Sequence, residues 1–199
     1  MPYDMFAALV VFVFATAFTP GPNNIMVTAS GVNFGFMRTV PHMAGITAGF
    51  VILLLAAASG LGLIFTAVPG LQTALKIAGA LYMLWLAWKV ANSRPTPETG
   101  DIELARPMTF WQAVAFQWVN PKALVMSLTM VALFVRPAAR VVDTAILIAV
   151  NVVFTVATVA TWTGFGVALR GLLSNPRHAR TFNIVMALLL VASIVPMVL

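Results

Sequence analysis

The chain has no cysteine, only two histidines and five acidic residues, and carries charge at just 8% of its 199 positions. Without cysteine there is neither a disulfide scaffold nor a thiol nucleophile, and the redox character of its compartment is left open. The two histidines lie far apart and no HExxH, GxSxG or P-loop pattern occurs, so neither a metal nor another cofactor is expected. Soluble domains are charged at about 25% of positions, and scarcity this deep excludes a water-soluble globule. Disorder needs low hydrophobicity and a collagen rod needs a glycine period; the sequence has neither.

What fills the chain instead is apolar: 61% of residues are hydrophobic and the mean hydropathy is +1.00. Marking every charge leaves uncharged stretches from Met5 to Met37, Thr39 to Leu75, Thr144 to Leu169 and Thr181 to Leu199. A helix crosses about 30 Å of hydrocarbon with about 20 apolar residues, so each stretch is bilayer-sized and the lipid bilayer is the expected surrounding. With the runs around Tyr82 and Pro121, six spans are predicted: Met5–Ser30, Met43–Thr66, Leu71–Ala91, Met108–Val135, Val141–Leu169 and Thr181–Val198. The first lacks a basic start, carries Asp4 and outruns a signal-peptide core, so it is read as part of the mature protein.

One connector, Asn92–Pro107, is long and polar, and it divides a single membrane domain into repeat one (about 1–91) and repeat two (about 108–199). A proline-broken span opens each half, at Pro20 and Pro22 and again at Pro121, and Gly60-Leu-Gly62 is echoed by Gly164-Phe-Gly166. Both echoes are about one hundred residues apart, as an internal duplication gives, and three spans per half make the second copy inverted. The expected fold is therefore an all-α integral membrane protein of six transmembrane helices, two inverted three-helix repeats with broken first and fourth helices.

The eleven Lys and Arg residues are scattered singly, which makes no stripe for nucleic acid and reads instead as a topology signal. Arg38, Lys89, Arg94, Arg106, Arg170, Arg177 and Arg180 fall on one side, Arg136 and Arg140 on the other. The first side is expected to face the cytoplasm, with both termini outside.

Polar chemistry within these apolar runs concentrates at the breaks. In Thr19-Pro20-Gly21-Pro22-Asn23-Asn24 the prolines release the carbonyls of Thr16 and Phe18 from helical partners. Unpaired backbone at membrane depth is tolerated where it lines a wet cavity, so the break points to a binding site; a kink that only shapes packing is the alternative. If a second half-helix starts near Pro22, the amides of Asn23, Asn24 and Ile25 form a partly positive end suited to a carboxylate, and Asn24 and Thr28 share a face. Asn120-Pro121-Lys122 repeats the pattern, freeing the carbonyl of Gln117. Lys122 lies roughly 20 Å along its run from either end, beyond a snorkelling stem. It is either a counter-charge for an anionic substrate group or a donor to the freed carbonyls.

Lys76, shallower in its span, is either functional or rescued by snorkelling, with Gly79 and Tyr82 close to its face. Gly31/Gly35 and Gly45/Gly49 are GxxxG pairs suited to close packing. Asn151, Thr155, Thr158 and Thr161 form a polar stripe that either lines a path or bonds neighbouring helices. Asp143 and His42 sit near span ends, where solvated interfacial positions are the simpler reading and proton exchange the other. Trp85, Trp88 and Trp111 suit an aromatic belt, and Trp118 has no assignment.

Thr19-Pro20-Gly21-Pro22-Asn23, Lys76-Ile77-Ala78-Gly79-Ala80-Leu81-Tyr82 and Asn120-Pro121-Lys122-Ala123, in this order and spacing over essentially the whole chain, resemble the LysE/RhtB family of amino-acid exporters. Ala87-Trp88-Lys89 and Asn183-Ile184, followed by Met186-Ala187-Leu188-Leu189-Leu190, look most like the branch exporting cysteine and O-acetylserine. The resemblance implies a bacterial inner-membrane protein that moves amino acids or close derivatives outward, coupled to protons, with a homo-oligomer as a further expectation. It implies no catalysis, and the residues agree, since no nucleophile and base or pair of acids lies at depth. A channel or an assembly subunit is the rival that the residues alone leave open. The substrate-site residues expected from motifs and resemblance together are Pro20, Gly21, Pro22, Asn23, Asn24, Lys76, Tyr82, Asn120, Pro121 and Lys122.

Overall fold

Proline and glycine decide where the helices stop. In a computed structural model describing residues 1–92, 106–171, 173 and 175–194, α1 (Tyr3–Phe18) ends before Pro20, and α2 (Pro22–Phe34) starts with proline in its first turn. Proline fits there because a first-turn amide has no helical acceptor to lose. The two helices meet at a 52° bend. Gly35, at φ +82°, alone separates α2 from α3 (Phe36–Ala58), a conformation that disfavours any side chain. Gly60, at φ +107°, starts the short α4 (Leu61–Ala67), and α5 (Pro69–Ala91) follows.

Beyond the connector, Thr109 and Gln112 form a reciprocal capping box that starts α6 (Phe110–Val119). Asn120 interrupts, and its side chain accepts from the Lys122 amide to cap α7 (Pro121–Phe134). A 3-10 turn at Pro137–Ala139 leads into α8 (Arg140–Leu169), and Asn175 caps α9 (Pro176–Ala192). The described residues are thus helical throughout, with no strand among them.

Length and apolarity qualify α3, residues 73–91 of α5 and residues 137–169 as membrane spans, and the bent pair α1 and α2 as a fourth. Of the six expected spans, the two that do not qualify by these measures are diluted by polar residues: α7 is short and begins beside Asn120 and Lys122, and α9 starts with Arg177, His178 and Arg180. The second span also differs from expectation. Its helix starts at Phe36, before Arg38 and Pro41, and stops at Ala58; Pro41 lies inside the helix and leaves the Met37 carbonyl without its helical amide, and Gly60 sets the end. The glycine echo is not matched in local structure, since Gly60 is a left-handed turn residue while its counterpart Gly164 lies inside α8. Residues 93–105 of the connector, with Arg94, and residues 195–199 of the last expected span lie outside the described residues.

The tightest helix pairs are α2 with α8, α3 with α6, and α5 with α9. Glycine sets the first two. A Cβ on Gly31 would meet the Thr163 carbonyl, one on Gly166 the Thr28 carbonyl, and one on Gly45 the Phe110 carbonyl. On Gly49 it would lie 2.7 Å from Gln117 Cγ and 2.9 Å from Val114 Cα, so these backbones run nearly in contact. The apolar core splits around them: one cluster joins α5 and α9 through Met83, Leu86, Met186 and Leu190, and another joins α1, α3, α7 and α8 through Val13, Leu53, Met130 and Leu147. Trp118 packs against the second cluster. Arg38, Lys89, Arg106, Arg170 and Arg177 gather at one end of the bundle, where α2 meets α3, α5 ends and α8 turns toward α9. This is called the basic end below.

Candidate functional site

The broken helices face each other across one cavity. Ala17 and Thr19 have carbonyls left free by the break, and Asn24, 5% exposed, donates to both from Nδ2, at 2.9 and 3.1 Å. Lys122 reaches across from α7 and donates from Nζ to the Thr19 carbonyl at 2.6 Å. The lysine stem passes over Gly21, where a Cβ would come within 2.9 Å of Cδ. Glycine gives the stem room to pass there, while its backbone is ordinary extended chain.

Asn23 completes the link between the halves. Its Nδ2 donates to Gln117 Oε1 at 2.8 Å, and Gln117 Nε2 returns a bond to Asn23 Oδ1 at 3.3 Å and another to the Ala113 carbonyl at 3.0 Å. Gln117 is fully buried and held by Gly49 of α3. At the start of α2, the Ile25 amide closes the first turn on the Gly21 carbonyl at 3.0 Å. The expected three-amide cradle therefore shrinks to the amides of Asn23 and Asn24, which as second and third helical residues have no intrahelical acceptor. Thr28, expected on the same face, bonds its own helix and the Trp162 carbonyl instead.

The cavity is narrow in this conformation, about 40 Å³ in volume, room for a few water molecules. Its polar wall includes Gly21, Asn23, Asn24, Asn120 and Lys122, with Asn151, Thr155 and Thr158 opposite on α8; Ile46, Phe50, Met126 and Val159 close it. Thr155 bonds Asn151 at 3.3 Å, while the buried Thr158 hydroxyl has no partner. Thr161 leaves the stripe and is exposed: ten residues beyond Asn151, it has turned about 80° off that line at 3.6 residues per turn. Among the described residues no group of three or more His, Cys, Asp or Glu is placed to hold a metal.

Of the ten residues expected at the site, Gly21, Pro22, Asn23, Asn24, Asn120 and Lys122 line the cavity, while Pro20 and Pro121 make the breaks beside it. Lys76 and Tyr82 do not join them. Lys76 is exposed on α5, and Tyr82 stacks on Trp85 and packs at a tilt against Phe116 beside a second cavity near the basic end. The Gln117 side chain and the apolar lid from α3 were not expected; an amide in the middle of an apolar run, three residues before Asn120, was the available signal for the first. His42 and Asp143 are not solvated interfacial residues. His42 is 1% exposed, and Asp143 is fully buried and held by Arg136 through Nε at 2.7 Å and Nη2 at 3.0 Å. The 3-10 turn folds Arg136 back over the start of α8, which burial at the sequence level does not reveal.

The cavity between the two interrupted helices is lined by amides, hydroxyls and one lysine. The LysE type translocator family profile matches residues 14–195. The cysteine/O-acetylserine efflux protein of Escherichia coli (strain K12) is 35% identical over 96% of each chain, and that of Shigella sonnei (strain Ss046) gives the same values. The corresponding efflux protein of Shigella flexneri is 36% identical over 94% of each chain. No solved structure matches the chain.

Proposed function

The chain belongs to the LysE type translocator family, and on that premise we propose that it is a secondary transporter that exports small neutral amino acids or close derivatives, cysteine and O-acetylserine first among them. It is a transporter and not an enzyme. The observation that supports the site most directly is the meeting of both broken helices at one cavity, where Lys122 spans the break to the Thr19 carbonyl. The substrate carboxylate binds the amides of Asn23 and Asn24 with the Lys122 ammonium beside it. The substrate ammonium is taken by Asn151 Oδ1 and the free Thr158 hydroxyl, and the wall of Ile46, Phe50 and Met126 limits the side chain to a small one.

The fold reading that accompanies this function is six spans, α1 with α2 and α6 with α7 each forming one, in two inverted halves that rock about the cavity. The basic end faces the cytoplasm of a bacterial inner membrane and both termini face the periplasm. The proton gradient drives export, and the working unit is a homo-oligomer. The Lys122→Ala variant tests the site: membrane insertion persists while efflux of O-acetylserine and cysteine falls to background, and normal efflux from that variant removes Lys122 from the mechanism. Saturable counterflow of labelled amino acid in proteoliposomes supports the carrier, whereas flux that never saturates identifies a pore.

A further inference from the structure

Serines and threonines within a helix can spend their hydroxyls on the carbonyl one turn back, as Thr16, Thr28, Thr39 and Thr47 do here. Four buried hydroxyls among the described residues have no partner: Thr158 in the central cavity, Thr163 in the α2–α8 seam, and Ser127 and Thr144. Ser127 is fully buried and lies one turn beyond the cavity-lining Ala123, on the way along α7 to the end opposite the basic one. Thr144, 9% exposed, lies seven residues from Asn151 toward that same end, which is about 10 Å along α8 and within about 20° of the same face. Buried polar groups are nearly always paired, so two unpaired hydroxyls leading away from the cavity on neighbouring helices have no explanation in packing.

The helices around them are held differently from those nearer the basic end. There, backbone rests on backbone at Gly31, Gly45, Gly49 and Gly166. In the layer of Ser127 and Thr144 the contact is made by side chains, Leu53 and Leu54 of α3, Met126 and Met130 of α7 and Leu147 of α8, and Gly62 meets only Leu128 Cδ2, at 3.7 Å. Flexible methionine side chains repack where a backbone contact cannot. A polar tie closes this layer: Arg140 Nη2, at the start of α8, donates to the Ala58 carbonyl that ends α3. We propose that the outward leg of the substrate path runs between α3, α7 and α8 past Ser127 and Thr144, shut in this conformation by the side-chain layer and latched by Arg140. The two hydroxyls hydrogen-bond the zwitterion as it passes. The path role rests on the export reading above; the opening of this seam to water does not.

Single cysteines in this cysteine-free chain test the path in membranes, read by a charged, impermeant methanethiosulfonate. A thiolate attacks the reagent's sulfenyl sulfur, forming a mixed disulfide and releasing methanesulfinate. The reagent is added on the side from which Tyr3→Cys reacts, because the exposed Tyr3 marks that end of α1. Val125→Cys is the control, two residues from Ser127 on α7 but turned out of the bundle. Ser127→Cys and Thr144→Cys are expected to react several-fold faster than Val125→Cys, and Arg140→Gln to speed both several-fold further. Rates no higher than that of Val125→Cys, with Arg140→Gln present and Tyr3→Cys reacting normally, overturn the opening of the seam, as does reaction only from the side of Arg170. An Arg140→Gln variant that melts lower while labelling is unchanged makes Arg140 a structural cap and overturns the latch. Slowing by O-acetylserine supports the path role, and labelling indifferent to every amino acid overturns it. None of the labelling rates depends on net transport, so efflux from Lys122→Ala stays a separate test of the export reading.

Discussion

Lys122 shows how far a single position can be read. Its depth in an apolar run marked it as needing a partner, but the partner, the Thr19 carbonyl, is 103 residues away and arises only because Pro20 and Pro22 end a helix there. Gly21 looked like part of the break, yet its lack of a side chain is what lets the lysine stem cross. Gly21→Ala should displace Lys122 and lose a charge-assisted bond of about 1.5–3 kcal/mol, with efflux lowered about tenfold or more. In the Lys122→Ala background the same change should cost little further stability, because the crowded side chain is gone; melting temperatures of both single variants and the double variant give the comparison. The Asn23 and Gln117 amides were visible as polar residues, but nothing local pairs positions 94 apart.

At the scale of helices, the sequence shows breaks better than packing. Pro22 and Pro121 mark the starts of α2 and α7, because proline acts on its own backbone. GxxxG spacing flagged Gly31, Gly35, Gly45 and Gly49 as packing residues; Gly31, Gly45 and Gly49 lie against other backbones, while Gly35 is the positive-φ turn between α2 and α3. Gly166 carried no such signal, since its partner, the Thr28 carbonyl, belongs to a distant helix. A methyl at Gly166 runs into backbone that cannot rotate away, whereas Gly164 has no neighbour within 4 Å. Gly166→Ala should therefore destabilise the protein by about 1–3 kcal/mol and lower its melting temperature by several degrees, with Gly164→Ala close to wild type; thermal unfolding in detergent compares them. Equal melting temperatures would mean that the α2–α8 contact is looser than described.

For the molecule as a whole, composition was the most legible layer: scarce charge and long apolar runs predict a helical membrane protein, and the described residues are helical. The six-span count was less secure because Arg177 and Arg180 dilute α9 and Asn120 divides α6 from α7. Single cysteines can be added to this cysteine-free chain without background labelling. Tyr3→Cys should react with an impermeant thiol reagent from the periplasmic side, and Arg170→Cys only after the membrane is opened; the reverse pattern refutes the proposed orientation. Asp143→Asn should weaken the join between Arg136 and the start of α8 at the end opposite Arg170, at about 2 kcal/mol, seen as a lower melting temperature without loss of insertion.

The glycine contacts set a limit on how such a protein moves. Where a carbonyl oxygen rests on the α-carbon of a neighbouring helix, there is no flexible side chain to stretch, so the seams either hold or part together. Partial separation would leave thin empty slots that neither lipid nor solute can fill. Movement of these helices past one another is therefore expected as a switch between discrete packings and not as a gradual slide.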